Sequence, residues 1–115
     1  MTQSTVSLHV NEFEQWVRAS SARGHGKVQG KQIVQSPVGT YIESQTGRVC
    51  RISGESFTLG TITGDDLRIV DAPQPLPEWA IRLHELITDN FGHPSLKAEW
   101  HFSGEDTLKL LREIR

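Results

Sequence analysis

"QIVQSPVGTYIESQTGRVCRIS", residues 32–53, is the stretch on which the fold turns. It opens a tract reaching Ala72 in which apolar β-formers recur between turn residues. A short apolar run over 32–36 is ended by Pro37. Val38–Gln45 is rich in β-forming residues and closes at Thr46-Gly47, and 48–53 ends at Gly54. Residues 56–63 run to a Gly64-Asp65-Asp66 turn, and 67–72 complete the set. Turn signals about eight to ten residues apart predict an antiparallel β-meander over 32–72, flat or curled. Gly60, inside a strand pattern, is expected at a bulge or a close backbone approach.

On the N-terminal side, Val6, Leu8 and Val10 alternate with polar residues, which predicts a short strand. Asn11 is placed as a helix N-cap with Glu14 three residues on. Phe13, Trp16, Val17 and Ser20 form one stripe, predicting a helix over 12–22. On the C-terminal side, Pro73, Pro75 and Pro77 predict an extended connector that excludes a ladder. A helix then follows from Glu78, with Trp79, Leu83, Leu86 and Ile87 on one face, ended by Gly92 and Pro94. Residues 95–103 alternate cleanly, with Leu96, Ala98, Trp100 and Phe102 on one side, the pattern of a half-buried strand. Ser103 with Asp106 makes a capping box ahead of a helix carrying Leu108, Leu111 and Ile114.

The expectation is a single α+β domain over residues 1–115. An N-terminal strand, helix and meander occupy 1–72, a Pro-rich connector 73–77, and a helix–strand–helix unit 78–115 that packs on the meander. Its 115 residues suffice for one core. No apolar run approaches the roughly 20 residues that span a membrane. The N-terminus lacks the basic-then-apolar pattern of a secretory signal, and the one cysteine, Cys50, has no internal partner. Together these point to a reducing, cytoplasmic setting.

Charge is split unevenly. Residues 1–51 hold six Lys/Arg against three acids, net +3, and residues 52–115 hold six against eleven, net −5. The first group gathers near a glycine-rich stretch, "SSARGHGKVQGKQ" over 20–32, which follows a helix and reads as a flexible, basic connector. It is no phosphate loop. Five residues separate Gly24 from Gly30, Lys31 is followed by Gln32 where a hydroxyl is needed, and a helix precedes where one must follow. Contact with nucleic acid stays open, through Arg18, Arg23, His25, Lys27, Lys31, Arg48 and Arg51, with Tyr41 the nearest ring for base stacking.

The five histidines are too far apart in sequence for zinc-type spacing, and no metal or other cofactor is expected. Cys50 reads as a packed apolar group, and no catalytic constellation stands out. Trp79, Trp100 and Leu110 are candidates for a protein interface, because aromatic anchors mark such surfaces. The leading expectation is therefore a non-enzymatic module that binds another protein, of the inhibitor, immunity, adaptor or phage and plasmid accessory kind. The alternative is a nucleic-acid-binding protein that uses the basic loop at 20–32 with Arg48 and Arg51.

Overall fold

Gly30 and Gly54 are each the first residue of a two-residue hairpin loop and take φ near +60°. Glycine at that position, with an ordinary residue after it, matches the right-handed twist of the flanking strands. The computed structural model describes residues 8–20, 23–69 and 72–115. In chain order the elements are α1 (Val10–Arg18), β1 (Gly26–Gln29), β2 (Gln32–Gln35), α2 (Pro37–Thr46), β3 (Val49–Ser53) and β4 (Ser56–Thr63). They continue with β5 (Asp66–Ile69), β6 (Gln74–Pro75), α3 (Glu78–Phe91), β7 (Glu99–Phe102) and α4 (Gly104–Ile114).

The α+β class is as predicted, and the strands form two antiparallel sheets. One has the order β2-β1-β7. The other is the meander β3-β4-β5, with β6 beside β4. Its register runs straight through Gly60, and the irregularity falls instead between Lys27 and Val28. In the first sheet Gly26 lies opposite Phe102. A Cβ there would stand 2.3 Å from the Phe102 ring and 2.6 Å from the Gln35 carbonyl oxygen, so only glycine allows this pairing.

Several expectations are corrected. Val38–Gln45 is helical, because Ser36 caps and Pro37 opens a helix that Gly47 closes in the left-handed region at φ 68°. Within the basic stretch, Gly26–Gln29 is a strand, so only part of it is a connector. Val10 belongs to α1, while Val6 lies outside the described residues. Asn11 sits inside the helix, with its side-chain oxygen accepting from Arg115 Nη2, and His9 takes the cap position. The helix ends at Arg18, short of the expected 22. Within the proline-rich connector, Gln74 and Pro75 do form a short ladder, opposite Phe57 and Ser56. From the alternating run at 95–103 only Glu99–Phe102 is a strand, and Leu96 is 80% exposed.

Among the described residues all four helices contribute to one apolar core. Phe13 and Val17 of α1 meet Val38, Tyr41 and Ile42 of α2, Ala80, Leu83 and Ile87 of α3, and Leu110 and Leu111 of α4. Val28, Phe57, Leu59 and Phe102 enter it from the sheets. The predicted capping box of α4 is present, with Ser103 Oγ accepting from the Asp106 amide and Asp106 Oδ2 from the Ser103 amide. Inside the core the Thr107 hydroxyl donates to the Gly24 carbonyl. That bond satisfies a buried backbone acceptor beside α1.

Candidate binding groove between two sheet edges

β2 ends one sheet and β3 ends the other, and ten residues of α2 join them. Between them lies a groove of about 470 Å³. One wall is the whole of β2, the other is Cys50, Arg51 and Ile52 of β3, and the floor is the α2 stripe of Ser36, Gly39, Thr40 and Glu43. The stripe recurs at three- and four-residue spacing, as one helix face does.

The hairpin registers determine what the two edges present. In a two-residue hairpin the closing pair exchanges hydrogen bonds, and bonded and non-bonded pairs then alternate. Gln29 and Gln32 close one hairpin, so Ile33, opposite Val28, turns its N–H and C=O away from β1 and toward the groove. Ser53 and Ser56 close the other, so Ile52 and Cys50 turn theirs away from β4. One bond confirms this direction: the Cys50 amide donates to Glu43 Oε2 at 2.9 Å, from β3 to the groove floor. The backbone groups of Ile33 and Ile52 thus border one space from opposite sides. Val34, 47% exposed, adds apolar surface to the β2 wall.

At the head of the floor, Ser36 Oγ accepts from the Val38 and Gly39 amides at 3.1 and 3.3 Å and lies 2.7 Å from His84 Nε2 on α3. The hydroxyl has two lone pairs and one hydrogen. With both lone pairs on the helix amides, its hydrogen goes to Nε2, and the imidazole carries its proton on Nδ1. Burial lowers the His84 pKa to about 4, which keeps that ring neutral. A serine beside an imidazole suggests a nucleophile and its base, yet here every position around Oγ is engaged in holding α2 against α3. The pair is an anchor for the groove floor. At the other end, burial and then the Glu43 carboxylate push the Cys50 thiol up to about 12, so it stays protonated and a poor nucleophile.

The residues singled out from sequence scatter. Arg18 pairs with Glu14 at 3.6 Å, and Arg23 donates to the Trp16 carbonyl with its guanidinium 5.3 Å from the Trp16 ring centroid. Lys27 pairs with Glu99 at 2.6 Å, and the hydrogen bond from Lys27 is the main reason Glu99 lies below the usual carboxylate range. His25 Nε2 lies 3.2 Å from the Gln35 amide nitrogen, Lys31 is at a hairpin tip, and Arg48 precedes β3. Only Arg51 lines the groove. Tyr41, expected on a strand for stacking, is in α2 and buried against Phe13.

Of the interface candidates, Trp79 packs on Phe13 and donates to the Leu8 carbonyl, and Trp100 is 55% exposed and lies nearly parallel to Phe91. Leu110 is only 6% exposed and presents nothing to a partner. Among the described residues no cluster of three or more His, Cys, Asp or Glu could hold a metal ion, and no helix is long and apolar enough to cross a membrane.

Sequence reading missed Ser36, Gly39 and Glu43, and took His84 for an ordinary surface histidine, whereas it is half-buried against Ser36. Only Ser36 carried a local signal, as a helix-capping serine directly before a proline. No family model matches this chain, and no curated protein or solved structure matches it either.

Proposed function

We propose that this protein is a binding module that takes up an extended segment of another polypeptide between β2 and β3. The segment adds a strand to one or both open edges. The observation that carries this reading is the opening of two sheet edges onto a single groove, with the backbone groups of Ile33 and Ile52 facing into it. Main-chain bonds to such edges supply affinity, and the alternate side chains of the guest supply specificity.

Gly39 supports the same reading. It lies inside α2, and its φ is not in the positive region that calls for glycine. A Cβ there would meet its nearest neighbour, Ile52 Cδ1, at 3.5 Å, an ordinary contact. Gly39 is the third residue of the helix, and a glycine held where alanine could adopt the same backbone costs about 0.4–1 kcal/mol relative to alanine. Neither the backbone nor the packing calls for that loss, while an open groove floor does.

Binding fits better than catalysis because Ser36 Oγ is fully engaged as a cap and the Cys50 thiol is protonated. The nucleic-acid alternative draws less support. Lys27 and Arg18 have acidic partners, and Arg23 is seated on Trp16.

The test is selection from a displayed library of random decapeptides, followed by titration of the winners against the protein and against Gly39→Leu, which fills the floor. Alternating, extended winners that lose about tenfold or more in affinity for Gly39→Leu are the expected result. A library that yields no binder, or binders indifferent to Gly39→Leu, would overturn the proposal.

A further inference from the structure

Two full charges line the groove, Glu43 on its floor and Arg51 on its β3 wall. Glu43 sits in the last turn of α2, where the helix dipole is negative, and no basic residue occupies that turn. Its Oε2 accepts the Cys50 amide, which turns the carboxylate toward the β3 edge. Among the described residues no lysine, arginine or histidine pairs with it. A carboxylate in that position, half-buried and beside a negative helix end, is a place where a cation is stabilising.

From this we infer that the groove selects an extended segment carrying a lysine or arginine at one fixed position, with its cationic head on the Glu43 carboxylate. The inference rests on the groove being a strand-binding site, and it names the chemistry of the occupant. The guest strand pairs along an edge, and alternate side chains point down to the α2 floor. The one that lands over the C-terminal turn of α2 meets Glu43. A hydrophobic residue there would desolvate the carboxylate without replacing its water, and an acid would be repelled.

Glu43→Gln isolates the charge. Glutamine keeps a side-chain oxygen to accept from the Cys50 amide, so the β3 edge stays anchored while the negative charge is gone. The random decapeptide library is selected in parallel on the protein and on Glu43→Gln. A winning peptide is then titrated beside its counterpart with norleucine in place of the basic residue.

Three results are informative. A lysine or arginine fixed at one position for the parent protein and absent for Glu43→Gln, with the norleucine peptide about fivefold weaker on the parent only, bears the inference out. That preference should also shrink as salt rises. Extended binders with no fixed basic position, or a preference that survives in Glu43→Gln, overturn the inference and leave strand binding standing. No extended binder at all overturns strand binding, and this inference with it.

Discussion

Three hydrogen-bonding partners converge on one hydroxyl oxygen at Ser36: two amides of α2 and the imidazole of His84. The arrangement works only while Nε2 is an acceptor. Burial disfavours the charged ring, and protonation would also make Nε2 a donor to an oxygen whose lone pairs are already taken, so the native state resists it. The sign of the pH dependence follows from this. His84 titrates at about 4 in the folded protein against an ordinary 6.5, so below 6.5 the unfolded chain takes up a proton that the folded one refuses. Stability should be fully present above pH 6.5 and fall on acidification toward pH 4, losing about 2 kcal/mol between pH 7 and 5. Denaturant titration at several pH values measures this. His84→Gln, which can still accept from Ser36, should flatten the slope in that interval. An unchanged slope would show that His84 does not cause it.

Among the elements, α2 decides the architecture. Replacing Gly39 by alanine should raise its helix propensity without a clash and stabilise the protein by about 0.4–1 kcal/mol, read as a higher melting temperature. A lower one would mean that the floor has no room for a methyl group. The boundaries of this helix are plain in the sequence once sought. Ser36-Pro37 starts it and Gly47 stops it, and Val38, Tyr41 and Ile42 keep helical spacing. The β-formers within it point to a strand because β-propensity largely measures fit to a half-buried surface, which a buried helix face also offers.

α3 and α4 were legible for the opposite reason: apolar spacing and end signals agree there. The Gly30-Lys31 hairpin, by contrast, was hidden among glycines and charges that resemble a linker. β7 is shorter than its alternating pattern because it pairs only with the four residues of β1. The groove itself was almost illegible. Ser36 and His84 are 48 residues apart, and no local pattern records their meeting.

At the scale of the molecule, the four helices of the described residues share one core with two sheets, and the chain passes from one sheet to the other through α2. This route leaves β2 and β3 as neighbouring edges over a common floor. The same topology disperses the cations that cluster in sequence. Arg18 and Arg23 fall near the start of α4, Lys27 on the first sheet and Arg51 on the second.

Hydrogen exchange at the amides of Ile33 and Ile52 tests strand addition most directly, measured by NMR on the free protein and with a saturating library-selected peptide. The amide on each edge that the guest strand joins, Ile33, Ile52 or both, should slow by about tenfold or more, while the Leu83 amide inside α3 keeps its rate. Ile33 and Ile52 exchanging at their free rates with peptide bound would contradict the account.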